Sequence, residues 1–245
     1  MQNDYKYFLN SYIDDIDSNI ENNYFTPVWG EVTKEISFNN LLDVGCGNGV
    51  FSANLKKTIG CYLIGVDGSK YALDEAKKNG FDEVYLVEDL CEESLPFKDE
   101  SFEIVVCKDV LEHLLFPDKL VKEIFRVLKN NGHFLVHVPN HFTLKGRIKF
   151  LFDNDIDPYH WFPNAKRWEF PHLRFYTYES FLEQLHINNF VLIKNLSYHF
   201  HSLPYFPGRI RKVIPFRKKI EKKLSLTYPS KFAQGFTVLM KKQVL

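Results

Sequence analysis

Between residues 41 and 138, short apolar runs alternate with longer stretches in which apolar residues recur at helical spacing. Runs such as Leu41-Leu42-Asp43-Val44 and Tyr62-Leu63-Ile64-Gly65-Val66 are too short for helices and rich enough in aliphatics for buried strands. The pattern predicts strands at 41–45, 61–66, 84–88, 102–106 and 133–138, and helices at 49–58, 69–79 and 117–129. Alternation of this kind argues for an α/β fold, a doubly wound parallel sheet with helices on both faces. In such sheets ligands gather at the carboxyl ends of the strands.

The flanks carry their own periodicity. Tyr5, Phe8, Leu9, Tyr12, Ile13 and Ile16, then Val28, Trp29, Val32 and Ile36 after Pro27, predict two helices ahead of the first strand. A helix is expected at 178–187, followed by strands over Phe190–Tyr198 and Gly235–Lys241. Between those strands lies the strongly basic stretch 208–224. Its Ile210, Val213, Ile214, Ile220 and Leu224 would share one helical face, interrupted at Pro215.

Composition narrows the choices. A chain of 245 residues, 45% of them apolar, is long enough for one full α/β domain with additions. The 31 basic and 31 acidic residues cancel, which disfavours nucleic acid as a partner. Cysteines 46, 61, 91 and 107 form no C-x-x-C pair and read as reduced structural residues, so a cytoplasmic protein is expected. No signal-peptide pattern and no apolar run of membrane-spanning length is seen, although the basic 208–224 element suits peripheral contact with an anionic membrane.

Chemistry concentrates first at Asp43-Val44-Gly45-Cys46-Gly47-Asn48-Gly49, where a strand runs into three alternate glycines. Glycines there let the backbone take positive φ and leave room for a ligand. The dinucleotide fingerprint is G-x-G-x-x-G, and the G-x-G-x-G spacing disfavours a nicotinamide-dependent reductase. The leading acid and the spacing resemble motif I of the class I S-adenosylmethionine-dependent methyltransferases. The resemblance continues through Asp67 after the second strand, Glu88-Asp89-Leu90 after the third, Cys107 to Leu114 after the fourth, and Val127 to Leu135 into the fifth. At this last turn Lys129-Asn130-Asn131-Gly132 replaces the common Lys-Pro-Gly-Gly.

The resemblance implies a Rossmann-like, seven-stranded, mostly parallel sheet finished by an antiparallel pair, with S-adenosyl-L-methionine as cofactor. It implies that Gly45, Gly47 and Gly49, flanked by Asp43 and Cys46, accommodate the cofactor's amino-acid end. Asp67, beside Gly68, would accept both ribose hydroxyls, because a vicinal diol offers two donors and a carboxylate two acceptors. Glu88, Asp89 and Leu90 would flank adenine, and Lys108 and Asp109 the methionine end. The expected organisation is a single domain. It comprises an N-terminal helical cap at 1–40, a cofactor half at 41–138, an acceptor-binding insertion at 139–177, and a C-terminal helix, strands and basic cover segment at 178–245. In proteins of this type such a cap lies across the cofactor cleft, where Tyr5, Tyr12, Tyr24 or Phe25 could close over the ligand.

Past the fifth strand the composition turns polar and aromatic. Asn140, Arg147, Tyr159, His160, Trp161, Arg167, Trp168, His172 and Arg174 are the candidate acceptor-binding residues. Guanidinium groups suit a carboxylate or phosphate, and the two tryptophans could stack on a sugar or anchor the loop. Pro171 to Thr177 resembles the "pH.r.yt" segment of the same family. A base is needed only for a neutral hydroxyl or a protonated amine; the candidates are His172, His141 and His113, the last at a position that is often scaffold. Asp153, Asp155 and Asp157 alternate like metal ligands, but Pro158 and Asn164 occupy the positions where a calcium loop needs Gly and Glu, so no metal is expected. The expected reaction is O-methylation of a small anionic or sugar-like metabolite, since no N-P-P-Y-type segment of certain N-methylating enzymes is present. By family analogy, and with Asn, Lys, Ile and Phe abundant, bacterial surface-glycan (capsule or polysaccharide) biosynthesis is a fitting setting. An N-methylated or lipid-linked acceptor, and a cofactor-binding protein without activity, are the alternatives.

Overall fold

A computed structural model describes residues 28–153, 172–197 and 217–244. The expected N-terminal helix before residue 28, the segment 154–171 and the basic stretch up to residue 216 lie outside them. A helix at 28–35 (α1) precedes β1 (Asn40–Val44). There follow α2 (Val50–Ile59), β2 (Tyr62–Asp67), α3 (Lys70–Asn79), β3 (Glu83–Leu86), β4 (Phe102–Lys108), a 3-10 turn at Leu111–His113, α4 (Pro117–Val127) and β5 (Leu128–Pro139). The chain continues with α5 (Leu144–Asp153), α6 (Tyr178–Ile187), β6 (Phe190–Asn195), α7 (Arg217–Thr227), α8 (Pro229–Phe232) and β7 (Gly235–Lys242).

The strands form one seven-stranded sheet in the order β3-β2-β1-β4-β5-β7-β6. β1 to β5 pair in parallel, and β7 runs antiparallel to both β5 and β6. Chain order reverses between β1 and β4, the switch point outside which such sheets open a ligand crevice.

Successive strand residues point to opposite faces, so each strand feeds two cores. Leu42, Val44, Val105 and Cys107 pack with Leu120, Val121 and Ile124 of α4 and Phe181 and Leu185 of α6. Leu41, Leu63, Ile104 and Val106 pack with Val28, Trp29 and Val32 of α1, Leu55 of α2, and Leu73 and Ala76 of α3. The Trp29 ring also stacks on Phe51 with centroids 4.9 Å apart, and its indole N–H donates to the Phe51 carbonyl at 3.2 Å. This bonds the residues before β1 to the helix that follows the glycine loop.

Several expected boundaries move: the third strand ends at Leu86 rather than 88, the fourth runs on to Lys108, and the strand from Phe190 ends at Asn195. The helix predicted to residue 129 ends at Val127, because Leu128 is already extended (φ −72°, ψ 135°) and pairs with Phe102. A register shift between Phe102 and Ile104 lets β5 start there and still align His133 with Ile104. The basic helix begins, among the described residues, at Arg217 and runs on to Thr227.

Candidate active site

The glycine loop leaves β1 at the switch point. Gly45, Gly47 and Gly49 have φ of 72°, 53° and 78°, so all three sit in the left-handed region. At Gly45 the requirement is double, since a Cβ would stand 2.2 Å from Cγ2 of Val110. At Gly47 no atom lies within 4 Å of that position, so the loop faces open space. Gly49 is the N-cap of α2. The N–H groups of Gly45 and Cys46 both donate to the Val66 carbonyl, at 2.7 and 3.1 Å, tying the loop to the end of β2.

Asp67 ends β2 beside this loop. Its Oδ2 accepts from the Gly47 N–H at 2.9 Å and its Oδ1 from the Ser69 N–H at 2.8 Å. Burial pushes the Asp67 carboxyl up from its ordinary range, against the backbone N–H groups of Ser69, Gly47 and Gly68. Ser69 also caps α3 by accepting from Ala72 N. Asp43 and Cys46 are buried. Glu88 and Asp89 are exposed, Leu90 is half-buried, and Asp89 Oδ1 accepts from the Cys91 N–H at 2.8 Å.

The end of β4 contributes a charged group in a strained backbone. Asp109 has φ 55°, and its N–H donates to the His137 carbonyl of the neighbouring strand at 3.1 Å. Burial opposes charge on Asp109, but the Lys108 ammonium 2.8 Å away, with the neighbouring histidines, holds the carboxyl below its ordinary range. His137 Nε2 lies 3.4 Å from Asp109 Oδ1, and its Nδ1 lies 2.8 Å from Thr237 Oγ1 on β7. Burial lowers this imidazole to about 4, so it is neutral at pH 7. His137 was not among the candidates, since a histidine inside a strand carries no local signal of its partner a hundred residues on.

Beyond it lies a histidine cluster. The N–H groups of Leu173 and Arg174 both donate to the Glu112 carbonyl, at 2.7 and 3.0 Å, and clamp the 172–177 segment onto the 3-10 turn. His172 therefore stands against His113, ring centroids 4.8 Å apart, and its Nδ1 is 2.6 Å from Nε2 of His141. Burial, aided by the positive potential of His113, lowers His141 to about 4 and His172 to about 3. The three candidate bases are thus brought together, with Glu112 fully buried among them.

Other candidates have different surroundings. Asn140 is fully buried and its amide donates to the carbonyls of Ala233 and Pro229, at 2.7 and 3.3 Å, while Oδ1 accepts from Phe142 N at 2.9 Å. Its side chain therefore binds α8 to the end of β5. Arg147 is exposed and donates through Nε to the Phe142 carbonyl at 2.7 Å. Arg174, also exposed, donates to the carbonyls of Leu114 and Leu115. Tyr159, His160, Trp161, Arg167 and Trp168 lie outside the described residues, as do Tyr5, Tyr12, Tyr24 and Phe25.

The loop and Asp67 fit an adenosyl cofactor on their own terms. Gly47 opens onto space without a side chain, and the two Asp67 oxygens each hold one backbone N–H of the roughly two they can accept. With the Gly68 N–H also drawn to the carboxylate, acceptor capacity is left over for ribose hydroxyls. The sheet order, the alternate-glycine turn and the carboxylate after β2 together define the Rossmann-like fold of class I methyltransferases. A family profile described as "Methyltransferase domain" matches residues 42–136. An uncharacterized protein of Methanocaldococcus jannaschii is 30% identical over 78% of this chain and 73% of its own length. A Mycobacterium tuberculosis protein named "Probable S-adenosylmethionine-dependent methyltransferase" is 30% identical over 59% of this chain and 51% of its own. The chain thus spans about half the length of that relative. Among solved structures, the methyltransferase in a Haloferax volcanii complex with the Trm112 methyltransferase activator superposes with a TM-score of 0.65, at 16% identity, over 96% of this chain and 98% of that one. The chain belongs to the class I S-adenosylmethionine-dependent methyltransferase family, and S-adenosylmethionine is its cofactor. Among the described residues no helix is long and apolar enough to cross a membrane.

Proposed function

We propose that this protein transfers the methyl group of S-adenosylmethionine to an oxygen of a small anionic or sugar-like acceptor. The observation that carries the reading is the juxtaposition of Asp67 and the Gly47 loop, 2.9 Å apart at the carboxyl ends of β2 and β1. Gly45, Gly47 and Gly49 would accommodate the cofactor's amino-acid end, Asp67 its ribose, and Asp89 with Leu90 its adenine. The bound cofactor supplies an activated methyl group on a sulfonium. The protein's part is to hold an acceptor oxygen in line with it and to keep water out. Arg147 and Arg174 support an anionic acceptor: a guanidinium carries five donors, so the backbone bonds they make do not exhaust them.

Calorimetric titration with S-adenosylhomocysteine, beside NADH, tests the cofactor half. Micromolar binding of the first ligand alone is expected, and failure of folded protein to bind it would overturn the reading. A mass-spectrometric screen of sugar phosphates, hydroxy acids and amines for a gain of one methyl group then tests the acceptor. Methylation confined to amines would replace oxygen by nitrogen, and binding without turnover on any acceptor would favour a non-catalytic protein.

A further inference from the structure

Glu112 sits in the 3-10 turn with no exposed surface, and neither of its carboxylate oxygens has a hydrogen-bond partner among the described residues. A buried carboxyl with two bare oxygens is costly in either protonation state, since even the neutral form leaves an O–H donor unmatched. Such a group persists where something else supplies positive charge. Two imidazoles adjoin it. His113 Nε2 is 3.9 Å from Glu112 Oε1, and Glu112, His113 and His172 each offer one ligand atom, all within 4.8 Å of one another.

We propose that Glu112, His113 and His172 form a binding site for a divalent first-row transition-metal ion, and that the ion holds the acceptor hydroxyl for methylation. The first part stands on the geometry alone; the second rests on the function proposed above. Two imidazole nitrogens and one carboxylate oxygen suit zinc, iron, cobalt or manganese, whereas calcium and magnesium favour all-oxygen sites. Donors sharing one ion at about 2.1 Å stand about 3 Å apart, so an ion draws these three inward by side-chain rotation. The surroundings are those of a ligand set. His172 Nδ1 is bonded to Nε2 of His141 at 2.6 Å, so the ring is held by an outer partner as ligating histidines usually are. The Leu173 and Arg174 N–H groups fix the segment bearing His172 to Glu112 itself.

Three protein ligands leave positions for an acceptor oxygen. Held there, the acceptor hydroxyl loses its proton to solvent. Its oxygen bonds the methyl carbon as the carbon–sulfur bond breaks, with the electron pair leaving on sulfur. No histidine then has to act as base, which agrees with the burial of His141 and His172. The spacing of these residues gave no warning of a metal, because His172 lies far along the chain from the Glu112-His113 pair.

The test uses tag-free full-length protein stripped with chelator and titrated with Co2+ by visible absorption, with S-adenosylhomocysteine titrated calorimetrically on the same samples. One equivalent of cobalt should bind at micromolar concentration with ligand-field bands. Glu112→Gln and His172→Ala should each weaken it by more than the ~10–100-fold that losing an outer partner costs, His141→Ala within that range, and His133→Gln not at all. Should a variant fail to fold, broadening of the His113 and His172 resonances by Mn2+ in wild-type protein takes its place. No cobalt uptake, uptake indifferent to Glu112 and His172, or broadening confined to other histidines would overturn the site. Intact S-adenosylhomocysteine binding in that case leaves the methyltransferase reading standing. Cobalt uptake without S-adenosylhomocysteine binding overturns the acceptor role and keeps the site.

Discussion

The backbone N–H of Gly47 donates to Oδ2 of Asp67 at 2.9 Å, so the turn after β1 and the carboxylate after β2 hold each other in place before any ligand arrives. Asp67→Ala removes that tie together with the acceptors a ribose diol needs. Hydrogen bonds to a charged group contribute about 1.5–3 kcal/mol each. With two such bonds lost, the variant should bind S-adenosylhomocysteine about 10²–10⁴-fold more weakly by calorimetry while keeping a cooperative melt.

Gly45 and Gly47 should separate stability from binding. In both, an alanine would take a left-handed backbone at about 1–2 kcal/mol, but only at Gly45 would its Cβ also collide with Val110, at 2.2 Å. Urea denaturation should therefore show Gly45→Ala losing about 2–5 kcal/mol once overpacking is added, and Gly47→Ala about 1–2 kcal/mol. Gly47→Ala should still lose cofactor affinity, because its methyl enters the open side of the loop. Val110→Ala should restore part of the stability of Gly45→Ala and none of the affinity of Gly47→Ala.

How much of this was legible in the sequence follows from where each signal resides. The glycine turn and Asp67 could be read because a strand-end turn and its carboxylate are local features, each at the end of a buried run. The helix 69–79 and the strands of the cofactor half were readable for the same reason. The start of β5 was not, because Leu128 pairs with Phe102 across a register shift that has no counterpart in hydrophobic pattern. Polar side chains after β5 were recognised as functional candidates by type alone. Type does not distinguish Asn140, engaged with the backbone of α8, from His172, turned toward Glu112 and His113.

Asn140 supplies the matching stability prediction. Asn140→Ala removes three hydrogen bonds and leaves the Ala233 carbonyl and the Phe142 N–H without the Asn140 partner, while the Pro229 carbonyl keeps the Ala233 N–H, at about 2–3 kcal/mol. Since the glycine loop is untouched, S-adenosylhomocysteine affinity measured below the melting transition should stay within about twofold, an energy of about 0.4 kcal/mol.

Acid should destabilise the fold partly through His137. Burial holds this imidazole at about 4, below its ordinary 6.5, so the unfolded chain takes up the proton first. Its contribution is full above pH 6.5 and is lost as pH falls toward 4, with a slope of about 1.4 kcal/mol per pH unit for one proton. In chelator-containing buffer, His137→Gln should flatten the stability curve between those limits by up to one proton. An unchanged slope would show that the imidazole titrates normally in the folded protein.

The strand order carries a consequence for how the chain is made. β7 lies between β5 and β6 although it follows both in sequence, and its Thr237 bonds the His137 ring. On a ribosome β6 therefore emerges with no strand to join, and β5 waits with an open edge of the kind that invites aggregation. Only when residues 235 to 242 are released can the sheet close, so chains cut off before residue 235 should be a load on chaperones rather than partially active enzymes.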